Sequence, residues 1–134
     1  MKLTSRSEYA LLALMHLSRH WEDGFISVES IASDRGIPYR FLEQIFLALK
    51  RGQYVKSAKG KYGGYRLAKD PATITLAEII RLLDGALAPT ESVSRYFYEP
   101  TPIEKEKALL DIFQEIRDFV SDKLENTTLA DVCR

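Results

Sequence analysis

Three groups of residues in this 134-residue chain have the types and spacing to do chemistry. His16 and His20 stand four apart, which puts them on one face of a helix at a spacing that suits a metal ion. No nearby Cys or Glu completes such a site, and His16 falls on an apolar side, so a partly buried histidine is the expectation. Cys133 is the single cysteine, which can make neither an internal disulfide nor a multi-thiolate centre within one chain; a spectator thiol is expected, with a link to a dimer mate as the redox alternative. The third group is basic. From Gly36 to Lys69 there are eight basic residues, Arg40, Lys50, Arg51, Lys56, Lys59, Lys61, Arg66 and Lys69, against one acid, Glu43, a local charge of +7. From Asp84 to Arg134 the balance is −5, so a chain of zero net charge carries one basic block and one acidic one. That asymmetry is what an electrostatic footprint for nucleic acid looks like, and charge alone does not separate it from two ordinary solvated surfaces.

Gly60, Gly63 and Gly64 inside the basic block raise the question of a phosphate loop. A dinucleotide loop opens a helix after a strand, and a nucleotide-triphosphate loop ends in Gly-Lys-Ser/Thr. Here Tyr65-Arg66-Leu67 follows, an extended pattern, so the glycines are turn residues that let backbone approach a partner closely. Glu104, Glu106, Glu115 and Asp118 alternate with basic residues along a helix, which is a solvated face. With no Ser-His-Asp set, cofactor loop or convergent acid-base pair, the sequence does not read as an enzyme.

The elements that must position the basic block are legible. Thr4–Arg19 has the apolar recurrence of a largely buried helix, with Tyr9, Leu12, Ala13, His16 and Leu17 in phase. Phe25–Ser27 is a strand fragment. Ser27 caps a helix over 28–35 that Gly36 stops, and Pro38 opens another over 39–50 whose inner side is Phe41, Leu42, Ile45, Phe46 and Leu49. Two short helices around a tight glycine turn form a helix-turn-helix. A strand over 53–58, a basic glycine-rich tip and a returning strand over 65–68 make a hairpin directly after it, the layout of a wing. Asp70-Pro71 interrupts, Ala72-Thr73-Ile74 re-enters as strand, and Thr75 with Glu78 forms a capping box on a helix over 76–83. Asp84-Gly85 marks the one domain boundary, giving a DNA-binding domain over 1–85 and a second part over 86–134.

In that second part Pro89, Pro100 and Pro102 exclude a long helix, and Tyr96, Phe97 and Tyr98 are bulky enough to pack on the body or to line an effector pocket. Ile103–Leu124 is a helix of about 33 Å. Its stripe of Leu109, Phe113, Ile116, Val120 and Leu124, broadened by Leu110, Ile112 and Phe119, is longer than the body can cover, and a second copy is the expected cover. Asn126–Asp131 forms a final turn capped by Thr127 or Thr128. The apolar run Tyr9–Met15 is too short to span a bilayer and does not read as a signal peptide, so the expectation is a cytoplasmic protein with no membrane partner. The fold class is therefore mainly α with a small β-hairpin wing, a winged helix-turn-helix plus a long C-terminal dimerisation helix.

In this order the pieces resemble a bacterial family, the winged-helix regulators that include IscR, NsrR and CymR. The matching segments are Met1-Lys-Leu-Thr-Ser-Arg-Ser-Glu-Tyr-Ala-Leu, Ile31-Ala32, Gly36-Ile37-Pro38, Phe41-Leu42-Glu43-Gln44-Ile45, Gly63-Gly64-Tyr65-Arg66-Leu67, Ile74-Thr75-Leu76 and Thr127-Thr128-Leu129-Ala130-Asp131. The resemblance implies a homodimer on a pseudo-palindromic duplex, with the second helix of the motif in the major groove and the wing in the adjacent minor groove. It also implies repression of transcription. Onto this sequence it carries Tyr39, Arg40, Glu43 and Gln44 as major-groove or backbone contacts, and Lys59, Lys61, Tyr62 and Arg66 around the wing. Gln44 suits adenine, Glu43 suits cytosine N4, and Arg40 suits guanine or a phosphate. Cluster-binding relatives carry three cysteines after the fourth helix, where this chain has none; Ser92, Thr101 and the run Glu104–Lys107 stand there instead. No iron-sulfur cluster, and no other cofactor or metal, is expected, leaving a small molecule or a protein as the effector. The alternative reading is a winged-helix protein-interaction module whose DNA binding is reduced or lost.

Overall fold

A computed structural model describes residues 1–134. The order of elements follows from caps and apolar phase. Helix α1 (Ser5–Arg19) starts where the Thr4 side chain accepts a bond from the Ser7 N–H. Helix α2 (Val28–Arg35) is capped by Ser27 and stopped by Gly36, whose φ of 65° is the left-handed turn the motif needs. Helix α3 (Tyr39–Arg51) opens after Pro38. Strands β1 (Val55–Ala58) and β2 (Gly64–Leu67) pair antiparallel, with Val55 opposite Leu67 and Ala58 opposite Gly64. Helix α4 (Leu76–Asp84) carries the capping box of Thr75 and Glu78. Helix α5 (Lys107–Glu125) and the short α6 (Leu129–Val132), capped by Thr128, complete the chain.

One core joins α1, α2, α3 and the hairpin: Leu14, Leu17, Ile31, Leu42, Ile45, Phe46, Leu49, Val55 and Leu67 are all buried in it. Leu129 of α6 belongs to the same core, and the segment before it is stitched to the start of α4 by backbone bonds, Leu76 N–H to the Thr127 carbonyl and Leu129 N–H to the Ile74 carbonyl, each 2.9 Å. The C-terminal part thus returns to the body instead of standing apart. A smaller core of Ala77, Ile80 and Leu87 takes Val120 and Leu124 of α5 against it.

The strand fragment near Ile26 is present as a single antiparallel bridge to Tyr65, at the edge of the two-stranded wing. Four sequence expectations change. Phe41 is not an inner residue: it is 45% exposed, its ring edge-on to Tyr9 at 5.6 Å, because it sits at the margin of the stripe where α1 only half covers α3. Residues 71–73 form a 3-10 turn instead of a strand, since Pro71 fixes the turn and Asp70 caps it. The last long helix begins at Lys107; Pro102–Lys105 is a separate 3-10 turn. Between α4 and α5, Leu87, Ala88 and Val93 are buried, whereas Tyr96, Phe97 and Tyr98 remain exposed. No helix is long and apolar enough to cross a membrane.

Candidate nucleic-acid interface

The interface is built on the outer side of α3. With Leu42, Ile45, Phe46, Ala48 and Leu49 buried, helical phase leaves Tyr39, Arg40, Glu43, Gln44 and Leu47 exposed as one face, continued by Lys50 and Arg51. The wing rises beside it. Tyr65 of β2 stacks on Phe46 of α3, centroids 4.4 Å apart and planes 10° from parallel, so α3 and the hairpin are fixed to each other by a buried ring.

Gly64 decides how tightly the wing lies on the body. Its φ is 147°, and a Cβ there would come within 2.1 Å of the Ile26 carbonyl oxygen. That close passage permits the reciprocal bonds between Ile26 and Tyr65, 2.9 and 2.8 Å. At the tip Lys59, Gly60, Lys61 and Tyr62 are exposed, Tyr62 almost fully, with the Lys61 ammonium 5.6 Å from the Tyr62 ring. A cleft of about 350 Å³ separates this tip from the start of α2 and is lined by Tyr39, Glu29, Lys61 and the backbone of Gly63 and Gly64. Desolvation, reinforced by the carboxylates of Glu29 and Glu43, holds the Tyr39 phenol above the usual tyrosine range. Partial burial and Glu43 do the same for Tyr65.

Seven of the eight residues carried over as DNA contacts, Tyr39, Arg40, Glu43, Gln44, Lys59, Lys61 and Tyr62, are exposed on α3 and the wing tip. Arg66 is placed differently. Its guanidinium lies 5.7 Å from both the Trp21 and Phe25 rings and donates to the Trp21 carbonyl at 3.4 Å, a position that buttresses the wing's base. One residue on this side escaped sequence reasoning: Arg6, in the first turn of α1, lines a second cleft together with Arg40, Phe41, Gln44 and Ile45. Its only sequence signal was its place in the N-terminal segment Ser5-Arg6-Ser7.

Charge pairing separates the two halves of the molecule. None of Arg6, Arg40, Lys50, Arg51, Lys56, Lys59, Lys61 or Lys69 forms a salt bridge, whereas the acids of α5 are largely answered by Arg81, Arg95, Arg117 and Lys107. The cations of this face are therefore unpaired within the chain, with Glu43 and Glu29 the acids among them, and an excess of unpaired positive charge favours an anionic partner.

On α5 the sequence stripe divides in two. Val120 and Leu124 pack against the chain's own Ala77, Ile80 and Leu87. Leu109 (41%), Ile112 (52%), Ile116 (43%) and Phe119 (76%) are exposed, spaced three, four and three apart, with Phe113 half-buried at their margin. His16 lies 3.2 Å from Asp34, and its pKa is lowered, first by burial and then by the neighbouring His20. His16 and His20 turn their Nδ1 atoms to different carboxylates, Asp34 and Asp23. The Cys133 thiol lies 3.7 Å from the Met15 carbonyl.

A helix-turn-helix locked to a glycine-hinged wing, with unpaired cations over both, defines a winged-helix DNA-binding protein of the transcription-regulator class. Comparison with known proteins makes the assignment particular: residues 3–134 match the Rrf2 family model, described as an iron-dependent transcriptional regulator, and the chain belongs to that family. It is 33% identical over 132 residues to the HTH-type transcriptional regulator CymR of Bacillus subtilis (strain 168), covering 98% of this chain and 89% of that protein. The solved structure of CymR, titled the global cysteine regulator of B. subtilis, superposes with a TM-score of 0.86 at 32% identity, covering 99% of this chain and 96% of that one. T. potens IscR gives a TM-score of 0.71 at 28% identity, over 98% of this chain and 85% of that one.

The family description implies iron, and the donor set does not fit an iron-sulfur cluster. Between α4 and α5, Ser92 and Thr101 bond to each other through their hydroxyls at 2.8 Å, and the chain's one thiol is far along the sequence in Cys133. A cluster needs several thiolates, which hydroxyls do not replace. Nor do any three His, Cys, Asp or Glu side chains converge as a metal site.

Proposed function

We propose that this regulator binds a pseudo-palindromic operator as a homodimer, without an iron-sulfur cluster, and represses transcription where that operator overlaps a promoter. Within each half-site α3 enters the major groove. Gln44 pairs with adenine, Glu43 accepts from cytosine N4, and Arg40 reaches guanine or a phosphate. Lys59 and Lys61 meet phosphates beside the minor groove, where they set affinity and register more than sequence. Tyr39 donates its phenol proton at the groove edge, Tyr62 lies over the sugar-phosphate backbone, and Arg66 keeps the wing in place. The two subunits join through Leu109, Ile112, Ile116 and Phe119 of α5, with Phe113 at the edge; Val120 and Leu124 hold that helix to its own body.

The observation that carries this reading is the set of cations across α3 and the wing that no acid of the chain pairs with, set against the acids of α5, most of which are paired within the chain. Fluorescence anisotropy with a labelled duplex tests it. Replacing Arg40 by Ala and Lys61 by Gln together is expected to abolish binding. Undiminished duplex affinity in that double variant would overturn the reading and favour a module whose partner is a protein.

A further inference from the structure

A helix in the major groove is flanked by two phosphate strands, and Lys59 and Lys61, the residues assigned to phosphate alone, reach one of them from the wing side. The other flank of α3 holds the cleft of about 270 Å³ that lies between α1 and α3. Arg6 of α1 and Arg40 of α3 both line it, and neither forms a salt bridge. Asp84 is an acid that feels the charge of Arg6. That carboxylate is engaged by the Thr4 N–H at 2.9 Å and the Thr4 hydroxyl at 2.5 Å, and it meets Arg6 only through space. Two guanidiniums sharing an opening without a partner repel each other unless an anion enters between them.

The apolar lining strengthens the case. Phe41 and Ile45 line this cleft, and Phe41 is held outward by its edge contact with Tyr9. Apart from the Gln44 amide the lining carries no acceptor and no acid, and its apolar part lowers the local dielectric, so an oxyanion there interacts more strongly with both guanidiniums. It also gives a reason for a phenylalanine left half-exposed on a recognition helix.

We propose that Arg6 and Arg40 form a phosphate site on the side of α3 away from the wing, clamping the sugar-phosphate backbone of the second strand. The ligand is a backbone phosphate of duplex DNA, held without regard to base sequence. This rests on the placement of α3 in the major groove argued above, and the clamp would fix how far the helix tilts within that groove.

The test is the salt dependence of binding to a duplex of mixed sequence, measured by anisotropy for the parent protein, Arg6→Gln, Arg6→Lys and Lys61→Gln. Each phosphate contact contributes about 0.9 to the slope of log K against log salt, so Arg6→Gln should lower the slope of a dimer by about 1.8. Its deficit relative to the parent then shrinks about tenfold between about 50 and about 200 mM salt. The ratio of affinities for a selected operator and the mixed duplex should stay unchanged, and Arg6→Lys should keep the parent slope. An unchanged slope in Arg6→Gln, with a lowered one in Lys61→Gln, would overturn the clamp and leave the DNA reading standing. Unchanged slopes in both would overturn the two together.

Discussion

Phe119 is the residue on which the proposed dimer depends most. It is 76% exposed in a single chain, at the end of an open stripe whose other members are 41 to 52% exposed. Burying a whole phenylalanine side chain stabilises by about 1.5–3 kcal/mol, so covering the exposed three-quarters contributes about 1–2 kcal/mol. A twofold interface uses the residue twice, and Phe119→Ser should weaken association by about 3 kcal/mol, roughly two orders of magnitude in the dimer dissociation constant. Sedimentation velocity over a concentration series reads this directly. Val120→Ala is the control: Val120 packs against the second core within its own chain, so it should lower the melting temperature and leave association nearly unchanged. If Phe119→Ser dimerises as tightly as the parent, or if Val120→Ala is the variant that dissociates, the division of α5 into an inner and an outer stripe is wrong.

Gln53 adopts a left-handed backbone with φ of 67° immediately after α3; Gln53→Gly should relieve about 1 kcal/mol of strain and raise the melting temperature by about 4 °C, and a fall would refute it. Gly64→Ala should break the Ile26–Tyr65 bridge, exposing those two amides to hydrogen exchange and weakening duplex binding while α4 and α5 stay protected; retained protection at Tyr65 would show that the close passage is not needed. Burial alone would raise the pKa of Asp84, but the bonds from Thr4 outweigh it and leave the group below its ordinary 3.8. Its contribution is therefore present above that value and lost as the pH falls through the lower, folded one. Asp84→Asn should be less stable than the parent at neutral pH, with the gap closing in acid; a gap that persists at low pH would refute the assignment.

Much of the fold was legible because caps and turn residues act locally. Ser27, Gly36, Thr75 with Glu78, and the glycines of the wing each marked a boundary that stands in the structure. What escaped depends on which neighbour covers a surface. Phe41 is in phase with the inner residues of α3, and only the angle of α1 leaves it outside. On α5 the stripe through Phe113 and Val120 and the stripe through Ile112 and Phe119 share Leu109 and Ile116, and periodicity cannot say which one meets the body. Arg66 came to the wing contacts through the family resemblance; Trp21 and Phe25, more than forty residues earlier, turn it inward. Arg6 gave no signal beyond its place in the N-terminal segment, because its relation to Arg40 exists only once α1 lies across α3.

The central claim is that this face reads DNA without a cluster. Selection of bound sequences from a random duplex pool, with purified metal-free protein at two salt concentrations, tests it most directly. The expected result is one enriched palindrome whose recovery falls steeply as salt rises. Retention of the pool without enrichment at low salt, or no retention at all, would contradict it.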